Sequence, residues 1–476
     1  MKSIIKAVQT NENTFMLFLA IPVLLSRIPF LDAGYGVEED SWGIAVAAYH
    51  TWLYGVMEAS RLPGHPVNEW VYSLLWGHGP WLYNFLSAIC SVVCLLIFYR
   101  IAKHLQIKQA ALAASAMVFT PVVYINSTCT IDYLWAMMFA LAAFYALLTR
   151  QVLLSGIMLG LAVGCRINSG VLFIPFLCWL FYSNHKQVFL RQCLLFAAAC
   201  GITACLCYLP IYLVYGHQFF SYSDQFPYPN WPKIIYKASI GVIGLPAVVA
   251  LIWLCVRQWL QTSWGSGNKA IHALFFSLLL LQMMSYLMLP QKSAYLILLV
   301  PFGLLWLSFF FSEARFKLFG WIQIFSAFFM SINLTDSYRG ATHSRLSVKA
   351  TVAGQEIFLD PLSGPMQNDY SKRINKLKYT NAVIQKVASV NYPIIIICGW
   401  WFNQLLIQQM EHPKNTMVKY AFYLSPELME FYAAKGYHIY YLSEQEVYND
   451  LFYKQEVTKQ WAYPFMLNYT QPNKKL

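Results

Sequence analysis

The sequence predicts a polytopic α-helical membrane protein of about eleven transmembrane helices, each needing about 20 apolar residues, followed by a small α/β domain outside the membrane. Three observations predict it. Hydrophobic residues make up 58% of the 476 residues and charged residues only 11%, with a mean hydropathy of +0.47, whereas soluble proteins carry about a quarter charged residues. Apolar runs recur from residue 15 to residue 332, separated by loops that alternate between basic and acidic. From Thr335 onward the pattern becomes that of a soluble chain, polar with short alternating strand and helix signals.

The net charge of +12 belongs to Lys and Arg in loops facing the cytoplasm and its anionic lipid, so it gives no reason to expect a nucleic-acid partner. Of the 11 Cys, ten lie between Cys90 and Cys255, mostly inside apolar runs, and Cys398 lies in the tail. No CxxC spacing or disulfide framework is present, and Cys205 and Cys207 read as helix-packing residues.

Lys2 and Lys6 precede the first run, 15–30, which lacks a small-x-small cleavage site and reads as a retained first helix. The first outer loop, about 31–80, holds an aromatic stretch at 44–57 that reads as an interfacial helix. The second span, 81–99, exits into Arg100, Lys103, His104 and Lys108. The third covers 110–125, and a short loop then leads to Asp132 at the mouth of the fourth, which ends at Arg150. The fifth and sixth, 153–165 and 171–182, are separated at Arg166 to Gly170. A seventh span ends near Tyr215, before an outer loop, 216–237, rich in Tyr, Pro and Trp. The eighth ends at Cys255, the ninth covers 273–289, the tenth ends before Glu313 and the eleventh near Ile332. The inner loops are basic, and the outer ones hold Glu38, Glu39, Asp40, Glu58, Glu69, Asp132 and Asp224. With the amino terminus inside, this threading puts the tail outside.

The division is therefore 1–334 for the membrane domain and 335–476 for an extracytoplasmic α/β accessory domain without chemistry of its own. Helices are expected at 368–389, 426–435 and 444–453, and strands at 393–398, 419–423 and 438–442, an alternation that favours a small parallel sheet. Asn126, Asn333 and Asn468 each begin an N-x-S/T triplet.

Chemistry concentrates in the first outer loop. Glu38, Glu39 and Asp40 are costly to hold ionised beside a bilayer unless they face water, a cation or a polar ligand. Ser60 to Glu69 follows, with Arg61 and His65. Acid, then Arg and His, just outside a membrane suits a phosphate-bearing lipid and an acid/base reaction. Arg61 also has a plain alternative, pairing with Glu58 or Glu69, and Asp132 another, capping the fourth helix. Arg166 and Lys292 interrupt apolar surroundings and should face the protein or snorkel.

The order of motifs resembles the integral-membrane glycosyltransferases of the GT-C class, which include the protein O-mannosyltransferases and the aminoarabinose transferases of lipid A. The resemblance is carried by the loop acids, by SRxPGxPxxE at Ser60 to Glu69, by GxGPxxYN from Gly77 to Asn84, by Asp132, by GLAVGCR ending in Arg166, and by Pro290 to Leu296 before a span with Pro301. It extends over roughly the first 330 residues. This chain departs from the family where three acids compete for the usual pair, and where Gln291-Lys292 stands in place of an acid or His.

The resemblance implies transfer of a sugar from a polyprenyl-phosphate-linked donor to an acceptor hydroxyl on a protein, glycan or lipid, with inversion, at the outer face of a membrane such as the bacterial inner membrane. Asp40 is the first choice as general base and Glu39 the second. Asp132 completes a site for a divalent ion (Mg²⁺ or Mn²⁺, shared with Asp40) or positions the acceptor. Arg61, His65, Arg166 and Lys292 are the donor-phosphate contacts, and Glu69 and Tyr295 are substrate-loop residues. The rival readings are a lipid-linked sugar flippase or transporter, which would place polar groups at the bilayer midplane, and a non-catalytic glycan-assembly subunit.

Overall fold

A computed structural model describes residues 12–183, 186–220, 231–259, 269–333, 346–352, 355–410, 415–442 and 463–464. The first part is helical throughout. Its helices are α1 (Glu12–Arg27), α2 (Glu39–Tyr54), α3 (Pro66–Leu74), α4 (Gly79–His104), α5 (Ala110–Phe119), α6 (Pro121–Asn126), α7 (Tyr133–Leu148) and α8 (Val152–Cys165). They continue as α9 (Phe173–Ser183), α10 (Lys186–Tyr215), α11 (Trp231–Ala238), α12 (Ile240–Ile243), α13 (Leu245–Trp259), α14 (Lys269–Met288), α15 (Leu299–Phe310) and α16 (Glu313–Phe325).

Among the described residues three helices are long and apolar enough to cross a membrane alone, at 79–104, 188–220 and 269–288. A pair of helices, 231–243 with 245–258, is long and apolar enough only when taken together and is bent by 92° at its break, the geometry of a broken span or a re-entrant loop. Six shorter apolar helices accompany them. The chain is thus a mostly helical, multi-pass membrane protein. The predicted spans fall on helices, but several are too short to cross straight through about 30 Å of hydrocarbon. The third breaks at Thr120, because Pro121 has no N–H and disfavours helical backbone in the residue before it.

One packing device positions the site. Gly156, Gly160 and Gly164 form a stripe on α8, and α10 lies directly against it. A Cβ on Gly156 would stand 2.6 Å from the Phe196 carbonyl oxygen, and one on Gly160 2.8 Å from that of Cys200. Small residues at this spacing let backbones approach and gain dispersion contacts in lipid. Arg166 follows at the end of α8, where the backbone turns extended.

The predicted eleventh helix is shorter than expected. It stops at Phe325, residues 326–330 turn, and the end of the run at Ile332 lies in β1 (Ser331–Asn333). That strand pairs antiparallel with β3 (Gln355–Asp360), which also pairs with β2 (Val348–Val352). Strand pairing overrides the apolar run, and the sequence signals neither strand of the hairpin.

The C-terminal part has its own core. After α17 (Pro365–Ala388) come β4 (Ile394–Ile397), α18 (Phe402–Met410), β5 (Val418–Ala421), α19 (Pro426–Ala434), β6 (His438–Tyr441) and β7 (Tyr463–Pro464). The sheet order is β5-β4-β6-β7 and every pair is parallel, as the alternation predicts. The four isoleucines of β4 are buried, as a central parallel strand covered on both faces requires. Val383, Ile384 and Val387 of α17 pack into this core. The helix α18 was not expected, and the helix predicted at 444–453 lies outside the described residues. The other end of α17 rests on the membrane part. Met366 N–H donates to Ala327 O at 3.0 Å, and Tyr370 meets Phe30 edge-on, with ring centroids 5.4 Å apart.

Candidate active site

The loop that leads to Asp40 is shaped by close contacts. A Cβ on Gly36 would sit 2.5 Å from Ser41 Oγ, so only glycine fits. The Trp42 indole donates to Gly36 O at 2.9 Å. Asn84 Nδ2 donates to Leu31 O and Gly34 O at 2.8 and 2.9 Å, and its Oδ1 accepts the Thr130 hydroxyl at 2.9 Å. Thr130 N–H donates to Tyr35 O at 2.8 Å. Asn84, which ends the GxGPxxYN motif, therefore ties together the loops that carry Asp40 and Asp132. The buried Arg27 holds the second loop from below, donating to Ser127 Oγ at 3.2 Å.

Glu38 takes extended backbone as the cap of α2, which places Glu39 and Asp40 in its first turn. Free N–H groups there favour negative charge. Asp40 Oδ2 accepts from Lys292 Nζ at 2.5 Å and from Arg61 Nη1 at 3.4 Å. Glu38 lies 3.5 Å from the same ammonium. Burial alone would push the Asp40 carboxyl up, but Lys292 and Arg61 hold it below its ordinary value. Lys292 is raised in turn, since Asp40 and Glu38 outweigh its own burial.

A second cluster lies alongside. Asp132 occupies the cap position of α7, yet its side chain caps nothing. It accepts instead from Arg166 Nη1 at 2.7 Å, and His65 Nδ1 stands 3.7 Å away. His65 Nδ1–H donates to Cys165 O at 3.0 Å, which orients the ring and leaves Nε2 for another partner. His65 and Arg166 together overcome burial and keep Asp132 below its ordinary value. The Arg166 guanidinium lies over the rings of Tyr133 and Tyr295, at 4.3 and 5.0 Å. The Tyr295 hydroxyl is buried and makes no hydrogen bond among the described residues.

The predicted substrate-loop acid, Glu69, is fully buried and closes the loop before it. Its carboxylate accepts from Ser60 N and His65 N, each at 2.9 Å, and from Ser60 Oγ at 2.5 Å. This fixes the segment from which Arg61 and His65 project. Glu58 pairs with His50 at 2.8 Å.

Glu39 faces another way. Its Oε1 accepts the Asn403 N–H at 3.0 Å, from the first turn of α18, and its Oε2 makes no hydrogen bond among the described residues. Burial pushes this carboxyl up to about 8, with Lys376 and the Asn403 N–H only partly offsetting it. Lys376 and Asn403 were not singled out in the sequence. In an amphipathic helix a Lys reads as part of the solvated face, and the contact with Val37 O is what shows Lys376 to be buried.

The structure thus brings Asp40, Arg61 and Lys292 together, and Asp132, His65, Arg166 and Tyr295 beside them, close enough for His65 to act electrostatically on Asp40. A cavity of about 350 Å³ opens next to Lys292, lined by Glu38, Asn126, Lys237, Asp369 and Lys372 among others. Across the segment 239–243 lies an apolar groove of about 420 Å³, walled by Val242, Leu251, Phe275, Leu299 and Trp306. Among the described residues no group of three or more His, Cys, Asp or Glu could hold a metal ion. The aromatic residues 221–230 lie outside the described residues.

The family model of dolichyl-phosphate-mannose-protein mannosyltransferases matches residues 63–212, a stretch containing His65, Asp132 and Arg166. It bears out the resemblance to GT-C membrane glycosyltransferases there. No curated protein matches the chain. Two solved structures of ArnT from Cupriavidus metallidurans align with it. The one bound to undecaprenyl phosphate does so at 13% identity and TM-score 0.46, over 66% of this chain and 60% of that one. The apo form aligns at 11% identity and TM-score 0.44, over 96% of this chain and 90% of that one.

Proposed function

We propose that this protein transfers a sugar from a polyprenyl-phosphate donor to an acceptor hydroxyl at the outer face of a membrane, the bacterial inner membrane in the simplest case. The observation that carries the reading is the adjacency of a cation cluster, a paired carboxylate and a polar cavity to an apolar groove. The groove suits a prenyl chain, and Arg61, Lys292 and Arg166 suit its phosphate. In the resting site these cations are occupied by Asp40 and Asp132. An incoming phosphate competes for them and frees Asp40.

The acceptor oxygen then attacks the anomeric carbon from the face opposite the phosphate. The carbon–phosphate-oxygen bond breaks, polyprenyl phosphate leaves with the bonding pair, and the acceptor proton passes to Asp40. Arg61, Lys292 and Arg166 stabilise the charge that develops on the leaving phosphate. Asp40 and Asp132 are the carboxylates that would hold a divalent ion, Mg²⁺ or Mn²⁺, whose positive charge would act on the same phosphate. The acceptor is a protein, glycan or lipid hydroxyl. Eleven spans and an extracytoplasmic unit over residues 335–476 belong to the same proposal, resting on loop charge.

Mass spectrometry of glycans and polyprenyl-phosphate sugars, in cells with and without the gene, tests it. Lost glycan with donor accumulating at the outer leaflet is the expected result. Donor trapped in the inner leaflet would mean a flippase.

A further inference from the structure

Two cations of α17, Arg373 and Lys376, are buried where the helix meets the membrane part. Arg373 is 1% exposed, and it donates from Nη1 to Thr128 O at 2.8 Å and from Nη2 to Thr128 Oγ1 at 3.1 Å. Lys376, 9% exposed, donates to Val37 O at 2.7 Å, with its ammonium 4.6 Å from the Trp401 ring centre. Lys and Arg are almost never buried this fully unless paired; Arg373 Nε also lies 3.0 Å from Asp369 Oδ2 of its own helix, and the Lys376 charge acts on Glu39. Residues three apart share a helix face, so one face of α17 grips two separate loops. Val37 lies just ahead of Asp40 and Thr128 just ahead of Asp132. Asn403 N–H, from α18, holds Glu39 between them.

We infer that the C-terminal unit positions the two carboxylates of the candidate site, with Arg373 holding the loop that leads to Asp132 and Lys376 the loop that leads to Asp40. The inference rests on the transferase reading for its consequence, though not for its geometry. Docking of the unit has other sources, among them Tyr370 on Phe30 and the Met366 N–H bond to Ala327 O. The two cations add a defined hold on segments that have no regular secondary structure of their own. Arg373 and Lys376 are positioning residues and touch no reacting atom.

The test uses the full-length protein in lipid nanodiscs, with undecaprenyl phosphate as probe. Hydrogen exchange is followed in the segments 34–40 and 126–132 and in β4. Lys376→Met should speed exchange in 34–40 by about fivefold, and Arg373→Met should do the same in 126–132, each sparing β4. Each should also weaken undecaprenyl phosphate binding by about fivefold or more. Lys376→Arg and Arg373→Lys should recover much of both, and Lys378→Met, an exposed site on the same helix, should change neither.

Loosening of both loops together with β4 would show that the cations only hold the unit in place, and would overturn the inference. Unchanged exchange in both Met variants would overturn it too, as would selective loosening without any loss of probe binding. Failure of the unaltered protein to bind undecaprenyl phosphate would remove the transferase reading instead, and the exchange pattern would still decide whether the loops are clamped.

Discussion

Glu39 and Asp40 are neighbours in sequence and face different parts of the molecule. Asp40 accepts the Lys292 ammonium at 2.5 Å within the membrane part, while Glu39 accepts the Asn403 N–H at 3.0 Å from the C-terminal part. Their charge states diverge accordingly. Asp40 is held ionised by two cations, and Glu39 is pushed up to about 8 by burial.

This divergence gives the first prediction. Asp40→Asn keeps the side-chain size and loses the base, so turnover should fall by about 10²–10⁴ while donor binding persists. Glu38→Gln, at a half-exposed side chain 3.5 Å from Lys292, should be nearly silent. Steady-state kinetics on the three single variants decides the register. An active Asp40→Asn beside a dead Glu39→Gln would move the base by one residue.

Donor recognition gives the second. Arg61→Ala and Lys292→Ala should each weaken polyprenyl phosphate binding by about 1.5–3 kcal/mol, the usual worth of a charge-assisted hydrogen bond. Lys292→Ala should be the more harmful, because it also removes the shorter of Asp40's two contacts. Calorimetric titration of both variants would show whether affinity is untouched, in which case the cluster is structural.

The third concerns Asp132 and Arg166. Both are buried and bonded at 2.7 Å. Arg166→Ala leaves a buried carboxylate without its partner and should cost about 3–5 kcal/mol in stability. The double variant Arg166→Ala with Asp132→Asn should be more stable than Arg166→Ala alone, as thermal unfolding would report. Asp132→Asn should lower turnover with no change in metal requirement after chelation, since Arg166 already occupies that carboxylate. A steep rise in the Mg²⁺ or Mn²⁺ needed would place Asp132 in a metal shell.

The fourth concerns pH. Glu39 ionises near 4.5 when unfolded and at about 8 when folded. Between those values the folded state keeps a proton that the unfolded state has released, so this group's contribution to stability falls as pH rises and levels off above about 8. Glu39→Gln removes that slope. Unfolding temperatures of the two proteins should separate progressively from pH 5 to pH 8, about the window these values define, with the variant the higher at the alkaline end. Parallel curves would mean that Glu39 is ionised in the folded protein.

The fifth concerns topology. Cysteines introduced at His78 and Lys378, both exposed, should react with an impermeant reagent added outside, and one at Lys103 only after permeabilisation. Reversed labelling would overturn the assignment of the acidic loops to the outer face.

Much of the helical architecture was legible because the apolar runs are separated by charged residues that mark their ends. Asp132 and Arg166 stood out for the same reason, as charges in apolar surroundings. Strand β1 was not legible, since Ser331–Asn333 continues an apolar run and only its partner β3 reveals its state. Lys376 and Arg373 were hidden by their setting. In an amphipathic helix a Lys or Arg reads as part of the solvated face, and only the distant carbonyls of Val37 and Thr128 show otherwise.

The glycine stripe of α8 has a consequence for how the protein is made. Its contact with α10 needs only two helices already in the bilayer, so the pair can form once residue 215 has been inserted. Arg166 is then in place while much of the chain is still unsynthesised. The loops before Asp40 and Asp132 receive Lys376 and Arg373 only when translation has passed α17. A nascent chain arrested before α17 would therefore hold the α8–α10 contact and still lack the hydrogen bonds that Lys376 and Arg373 make to these loops.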